Sequence, residues 1–295
     1  MAVQNAAREQ VVSTAVREIS HIATLPEITM RIIQLVEDPT STAQDLHNII
    51  AKDPALCTRI LKVVNSAFYG LPGQIGSINR AIVLLGLNAV KNIAIAASLS
   101  KLFKGGQLTP NFSAKDLWVH SVAVAAGTKM LADRLKLGLS DEAFLAGLIH
   151  DIGIMVELQY DRNKLVEVVE RCAPEPDSPA PASDFLATEL QVFGATHQDF
   201  GTALCDKWKF PRSFAFVTGH HHAPLELAPE TRLLTCLVHV ADRLAADTTN
   251  GFRLDLPDTT ISPAVFDELK LSNSDIDEVR TKLPEQLDAA RTMLS

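Results

Sequence analysis

Histidines and aspartates that recur through the middle and second half of the chain are the residues whose types and spacing suggest chemistry. Neutral imidazole and carboxylate oxygen are donors that iron, manganese and zinc accept in proteins. Helical proteins assemble such sites from side chains on separate helices, so wide spacing along the chain is no obstacle. We therefore predict that a divalent metal, in a mononuclear or dinuclear centre, is bound by His120, His150, Asp151, His197, His220, His221 and Asp242.

Several of these predicted ligands also have an ordinary structural explanation. His120 could be a hydrogen-bonded core histidine, and His197 could contact solvent from the first turn of a helix. The His-Asp pair at 150–151 could simply end a helix without binding anything. Asp242 lies on an apolar helical stripe, and because a buried carboxylate needs a partner, this placement favours metal binding.

The run of three consecutive histidines needs a geometric argument. Adjacent residues on a regular helix point about 100° apart, so His220 and His221 can share a site only around bridged metals or at a helix end. Pro224 follows closely and favours a helix end. We expect the third histidine of the run, His222, to lie on the surface.

The composition favours a helical, cytoplasmic protein without a broad basic surface. Alanine and leucine abound among the 295 residues while aromatic residues make up 5%, which favours helix over sheet. The formal net charge of −8 argues against general nucleic-acid binding. The segment 1–18 lacks the apolar core of a signal peptide, and polar residues interrupt the most apolar segment, 81–103. We therefore expect no membrane span.

Helical periodicity and helix-breaking residues predict an all-α fold, and no segment carries a strand pattern. Caps at 40–42 and Ser77, with Pro54 in a first turn, predict short helices in a first bundle of about five. A second bundle is predicted to contain helices at 113–135 and 160–172, with an apolar helix between them that ends near the His-Asp pair. The predicted parts are a lead helix at 1–21, the first bundle at 22–105, a second helical part at 106–250 and a helical extension at 251–295.

Short motifs in a consistent order resemble the HDOD domain, the HD-related output domain of bacterial signalling. The resemblance covers roughly Ile22 to Asp242. Its motifs are Leu25-Pro26, the stretches 49–56 and 65–70, Ser77-Ile78 with Ala81-Ile82, Leu85-Gly86, and the stretches 117–121 and 146–153. The second half also resembles the wider HD superfamily of metal-dependent phosphohydrolases, in which a first histidine, a His-Asp pair and later histidine and aspartate residues bind metal.

The resemblance implies a fold and a role. A bundle of about five short helices is expected to pack on a helical bundle of the HD type. HDOD domains occur alone or behind receiver domains, act as signalling outputs, and mostly lack demonstrated hydrolase activity. Many have lost metal ligands, whereas this chain keeps histidine and aspartate at the matching positions.

Two departures from the related HD-GYP phosphodiesterases weaken a catalytic interpretation. In those enzymes a lysine that handles substrate phosphate follows the His-Asp pair, and here Ile154 stands at that position. The Gly-Tyr-Pro motif after the paired histidines is absent, since the chain continues with Ala223-Pro224-Leu225. Without a placed cation, charge that develops on a phosphoryl group is poorly stabilised.

Three hypotheses about function follow. The first is a non-enzymatic signalling module that acts through protein contacts, with a receiver domain or a kinase as a possible partner and a retained metal site. The second is a metal-dependent phosphohydrolase that acts on a nucleotide or phosphoester, in which Asp151 would be catalytic. The third is a metal or redox sensor, which the sequence does not separate from the first.

Overall fold

Helices make up almost all of the regular structure in the computed structural model, which describes residues 2–19, 27–38, 40–66, 69–103, 106–175, 180–247 and 253–294. The predicted all-α class is confirmed, and five short helices follow the lead helix as expected. The helices of this first part are α1 (Ala2–Glu18), α2 (Glu27–Glu37), α3 (Ala43–Ile50), α4 (Pro54–Val64), α5 (Ile78–Leu85) and α6 (Leu87–Leu99).

The second part begins with a small hairpin, β1 (Gln107–Thr109) and β2 (Phe112–Ser113), which pairs antiparallel with Gln107 opposite Ser113. The remaining elements are helical. They are α7 (Ala114–Arg134), α8 (Ser140–Ile149), α9 (Ile152–Tyr160), α10 (Arg162–Cys172), α11 (Phe185–Val192), α12 (His197–Lys207), α13 (Arg212–His220), a short 3-10 turn (Pro224–Glu226), α14 (Leu233–Ala246), α15 (Pro263–Leu269) and α16 (Asn273–Leu294).

Local capping fixes where the helices of the first bundle start. The Thr42 hydroxyl accepts a hydrogen bond from the backbone N–H of Asp45, and the Asp45 side chain accepts one from the backbone of Thr42. Ser77 caps α5 in the same manner, and Pro54 occupies the first position of α4. A side-chain cap of this kind typically stabilises a helix by about 1 kcal/mol. These starts agree with the sequence prediction.

Close approach of α7 and α8 builds the centre of the second half. These two helices and α14 pack against one another, and α8 also contacts α6 of the first bundle. At Gly147 of α8, an added Cβ would lie 2.8 Å from the Cα of Ala125 on α7. The missing side chain therefore lets the two backbones touch, which carries the end of α8 into the interior.

Helix α9 and the hairpin were not predicted from the sequence. The nine residues of α9 were not predicted as a helix because the segment is mostly apolar and its few polar residues show no helical period. Its first six residues, 152–157, are all buried, so the mostly apolar character reflects a position inside the core. The hairpin strands have three and two residues, too few to show alternation.

One stretch of the described residues, Ser140–Tyr160, is long and apolar enough to cross a membrane by composition. In the structure 83% of that window is buried inside the fold. The stretch comprises α8 and α9, which are separate helices that meet at the His-Asp pair. Its hydropathy is accounted for by core packing.

Candidate metal centre

Six of the seven predicted ligands meet in one interior volume. His120 comes from the middle of α7, the His-Asp pair from the junction of α8 and α9, and His197 from the first residue of α12. His221 follows the end of α13, and Asp242 lies on α14. All six side chains are completely buried: His120, His150, Asp151, His197, His221 and Asp242.

Asp151 lies at the middle of this cluster. Its Oδ1 is 3.2 Å from Nε2 of His221 and 3.7 Å from Nε2 of His197. Its Oδ2 is 3.2 Å from Nε2 of His150. The two oxygens of one carboxylate therefore face different imidazoles, as a carboxylate that bridges two metals must.

Asp242 closes the side of the cluster that faces α7. Its Oδ1 lies 3.0 Å from Nε2 of His120 and 3.7 Å from Nε2 of His150. These contacts join His120, His150 and one oxygen of Asp151 into a first group of donors. Asp151, His197 and His221 form a second group on the other side, with His222 beside them.

Hydrogen bonds behind the imidazoles aim the Nε2 atoms at the centre. Nδ1 of His150 donates to the carbonyl oxygen of Gly147 at 2.8 Å, and Nδ1 of His221 donates to that of Val217 at 3.1 Å. A carbonyl oxygen can only accept, so each Nδ1 carries a proton, and Nε2 is the atom that presents a lone pair in the neutral form of each imidazole. Metal-binding histidines are oriented in this way in proteins.

Glu189 orients the imidazole of His197 in the same way. This residue was not predicted from the sequence. Its carboxylate accepts from Nδ1 of His197 at 2.9 Å and from the backbone N–H of His197 at 3.1 Å. Burial raises the pKa of Glu157, and the adjacent Glu189 charge raises it further. The raised pKa favours the protonated, neutral form of Glu157. Glu157 and Glu189 are each an acidic residue within an apolar helix. That pattern is the sequence signal that could have pointed to them.

The spacing of the ligand atoms suits a bound cation better than it suits hydrogen bonds between the side chains. Nε2 of His197 lies 3.4 Å from Nε2 of His221, and since Nδ1 of each ring is the donor, two lone pairs face each other there. Nε2 of His222 lies 3.1 Å from Nε2 of His197. Tetrahedral ligands at the usual zinc–nitrogen distance are separated by about 3.3 Å. Despite the nearby imidazoles, neither Asp151 oxygen has a hydrogen-bond partner of acceptable geometry within the described residues, and the same holds for Nε2 of His150. These orphaned buried atoms are suited to a bound metal.

The protonation states differ among the predicted ligands. Burial lowers the pKa of both His197 and His221, which keeps them neutral. Burial would also depress the pKa of His150, but the charge and hydrogen bond of Asp151, the charge of Asp242 and the Gly147 carbonyl together raise it to about 9, so this imidazole must release a proton when it binds a metal. Burial works against ionisation of Asp151 as well, yet its imidazole neighbours hold its pKa well below the usual range. A negative carboxylate surrounded by imidazoles is therefore ready for a metal.

The structure corrects the assignment of the histidine run. His220 is 38% exposed and its Nδ1 lies 3.9 Å from Glu226, so it is not brought to the cluster. His222 was expected on the surface, yet its side chain is only 9% exposed and contacts His197. The helix ends at His220, and the turn that follows directs the next two side chains inward. Sequence spacing alone does not reveal which side of the chain turns inward after a helix end.

A further acidic residue was missed in the C-terminal segment. Asp255 is buried, and its Oδ2 lies 3.5 Å from Nε2 of His222. Asp255 lies between helices, where no helical periodicity marks a residue as buried. His239 packs in the core and donates from Nδ1 to the carbonyl oxygen of His221 at 2.7 Å, which holds the backbone of that ligand.

Comparisons with known proteins bear on the family and the fold. The family model of the HDOD domain matches residues 22–224. An uncharacterized protein of Treponema pallidum is 27% identical over 220 residues, which are 72% of this chain and 40% of that protein. The chain thus spans less than half the length of that curated relative.

Solved structures share the fold. A presumed signal transduction protein of Marinobacter aquaeolei superposes with a TM-score of 0.76 at 22% identity, over 98% of this chain and 65% of that one. A presumed phosphohydrolase of Shewanella amazonensis superposes with a TM-score of 0.72 at 21% identity, over 96% of this chain and 98% of that one. At these identities the similarity establishes the fold.

Proposed function

The chain belongs to the HDOD family, and on that premise we propose that it is a regulatory signalling module whose second half encloses a metal centre closed to substrates. The observation that carries this proposal is the complete burial of the six ligand side chains around Asp151. A hydrolytic centre must expose its metal to a phosphoester. A buried centre instead fixes the relative positions of the helices that supply its ligands.

The donor arrangement supports two metal positions that share Asp151. His120, His150 and Asp242 surround the first position together with one oxygen of Asp151. His197 and His221 surround the second position with the other oxygen. Mixed imidazole and carboxylate donors suit iron, manganese or zinc.

The surroundings of the centre support a regulatory function over catalysis. Ile154, which stands where the related phosphodiesterases have a lysine, is completely buried in the apolar core. The residues that follow the histidine run enter a 3-10 turn and do not form a Gly-Tyr-Pro loop. A phosphoryl group at this centre would therefore lack both features that the phosphodiesterases use to hold it.

The proposed signalling role operates through contacts with other proteins. We propose a cytoplasmic partner such as a receiver domain or a kinase, in keeping with the printed name of the Marinobacter aquaeolei protein. The curated relative is much longer than this chain, so comparable modules occur within larger proteins. Metal occupancy would set how firmly the helices of the second half are joined, and thereby the surface offered to that partner.

A metal-dependent phosphohydrolase is the second candidate. The specific observation in its favour is the position of Asp151, whose two oxygens face two groups of imidazoles. A pair of divalent metals held in this way supplies the Lewis acidity that activates water for phosphoester hydrolysis. The substrate would be a nucleotide or another phosphoester, and Asp151 would be the essential carboxylate.

One experiment separates the two candidates. The protein is purified without chelators, its metal content is measured by plasma mass spectrometry, and hydrolysis of a cyclic dinucleotide and of bis-p-nitrophenyl phosphate is assayed. We expect stoichiometric iron, manganese or zinc and no hydrolysis above background. Asp151→Asn should lose the metal, while Asp206→Asn, an exposed carboxylate on α12, should retain it. A hydrolysis rate that Asp151→Asn abolishes and Asp206→Asn preserves would overturn the regulatory proposal.

A further inference from the structure

Asp255 lies outside the residues that match the family, on the segment between α14 and α15. We propose that Asp255 completes a third cation position with His222 and Asp242, so that a C-terminal segment closes the centre. This inference rests on the proposed metal centre and extends it. Ligand atoms of these three side chains all lie within 4.8 Å of one another.

Asp255 has the environment of a ligand without its cation. It is 2% exposed, and neither carboxylate oxygen has a hydrogen-bond partner among the described residues. An ionised carboxylate is costly to bury unless a positive charge or hydrogen bonds compensate it. Burial, together with the charges of Asp151 and Asp242, raises the pKa of Asp255 well above its usual range. A bound divalent ion would supply the missing positive charge.

The other two side chains have donors available for this position. Oδ1 of Asp242 contacts His120, whereas its Oδ2 has no hydrogen-bond partner within the described part of the chain. Nε2 of His222 lies 3.5 Å from Oδ2 of Asp255 and 3.1 Å from Nε2 of His197. One imidazole nitrogen binds one metal, so assigning His222 here leaves Asp151, His197 and His221 for the second position.

The segment that carries Asp255 is held in place by its neighbours. Leu254 and Leu256 on either side of Asp255 are buried as well, so three consecutive side chains of this segment are enclosed by the protein. Arg243, the residue after Asp242, donates from Nε to the carbonyl oxygen of Thr260 at 3.2 Å. These contacts tie the segment to α14 beside the centre. The site is therefore built from packed residues on both sides.

The donor chemistry points to manganese(II) at this position. Two carboxylates and one imidazole form an oxygen-rich set, and manganese accepts carboxylate oxygen more readily than zinc does. The first and second positions, which have more imidazole, suit iron or zinc as well. The third position should accordingly fill with Mn²⁺ and be the most sensitive to loss of a carboxylate.

Titration of the full-length, metal-depleted chain with Mn²⁺ tests this inference. Bound metal is counted by equilibrium dialysis with elemental analysis for the wild type, Asp255→Asn and Asp258→Asn. Asp258 is the matched control, because it lies on the same segment but is exposed and accepts a hydrogen bond from the backbone of Thr260. We expect three Mn²⁺ per chain for the wild type and the control and two for Asp255→Asn. Circular dichroism verifies that each variant is folded.

A second variant tests the third position even if Asp255→Asn does not fold. Asp255→Cys places a soft thiolate at the position, and soft thiolates select soft metals. Added Cd²⁺ should then produce the ultraviolet absorption of a cadmium–thiolate bond, which the wild type lacks. Equal Mn²⁺ binding by the wild type and Asp255→Asn, or no thiolate absorption in Asp255→Cys, overturns the third position alone. A wild type that binds no metal overturns the proposed centre itself.

Discussion

At the scale of single residues, the orientation of His197 depends on one carboxylate behind it. Glu189 accepts both from Nδ1 and from the backbone N–H of His197, and the side chain is completely buried. A glutamine at this position offers one accepting oxygen for two donors. We predict that Glu189→Gln lowers metal affinity by roughly 10- to 100-fold, the usual effect of losing a hydrogen bond behind a metal-binding histidine. Competition with a chromophoric chelator measures the change.

Glu157→Gln is the matched control for that prediction. Glu157 is buried beside Glu189 and holds a proton, so a neutral amide imitates its existing charge. The control should change metal affinity little. Equal losses in the two variants would show that general disturbance of the α9–α11 region, and not the orientation of His197, determines affinity.

The residue scale also shows how much of the site the sequence could predict. His120, His150, Asp151, His197, His221 and Asp242 were identified from residue type and order, and the structure brings all of them together. His220 was wrongly predicted to reach the site and His222 to lie on the surface. The direction of the chain after a helix end is set by tertiary packing, which residue spacing does not show. Glu189 and Asp255 reach the centre from segments whose sequence shows no relation to it.

At the scale of the elements, Gly153 governs how closely α9 approaches α12. An added Cβ would lie 1.8 Å from the carbonyl oxygen of His197, which is backbone and cannot rotate away. Gly153→Ala must therefore push apart the start of α12 and the start of α9. We predict a loss of about 1–3 kcal/mol in the free energy of unfolding, as overpacking commonly causes, together with weaker metal binding.

Gly76→Ala provides the comparison, because no atom lies within 4 Å of its added Cβ. Urea denaturation of the metal-free proteins should place Gly76→Ala within about 0.5 kcal/mol of the wild type, as substitutions away from packed features usually are. Wild-type stability in Gly153→Ala would refute the close approach that the structure shows.

An ion pair between helix ends gives α16 a pH dependence. Asp275 accepts hydrogen bonds from Ser272 and from Arg134 at the end of α7, which together lower its pKa to about 2. An unfolded aspartate has a pKa of about 3.9. Because the folded pKa is depressed, the contribution to stability is full above about pH 4 and is lost as the pH falls towards 2.

We predict that Asp275→Asn unfolds at a lower temperature than the wild type at pH 7. The difference should shrink as the pH is lowered from 4 to 2, and thermal melts monitored by circular dichroism measure it. Asp277→Asn is the control, since that carboxylate lies on the same helix, is exposed, and has an ion-pair contact with Arg280 at 3.6 Å. A difference that persists unchanged at pH 2 would exclude the ion pair as its origin.

Helices with one buried and one exposed face were predictable from the sequence, because their apolar residues recur with the helical period. Helices α3, α4 and α5 carry apolar stripes and local start signals, and their starts agree with the prediction. Helix α9 is buried over its first six residues and carries too few polar residues to show a helical period. The elements closest to the site are therefore the ones that periodicity describes least well.

At the scale of the whole molecule, the centre would add metal bonds between helices of the second half that already pack against one another. Its ligands come from α7, α8, α12, α13 and α14, while α2 to α5 contribute none within the described residues. A metal that binds only the folded state stabilises it by mass action, by about 2.7 kcal/mol at a concentration one hundred times Kd. Removal of the metal should thus weaken the second half specifically.

Hydrogen exchange measures that prediction directly. Treatment with a strong chelator should accelerate amide exchange in α12, α13 and α14 and leave α2 to α5 close to their original rates. Restoring the metal should reverse the change. Uniform acceleration over both halves would contradict a local role for the centre, and no acceleration would show that the metal does not bind the helices together.

Anomalous diffraction at the iron, manganese and zinc edges, from crystals of protein purified without chelators, tests the central claim most directly. The account predicts a peak on each side of Asp151, each about 2.0–2.3 Å from imidazole Nε2 or carboxylate oxygen atoms. A map with no anomalous peak, and with the imidazole nitrogens and carboxylate oxygens at direct hydrogen-bond distance, would contradict it.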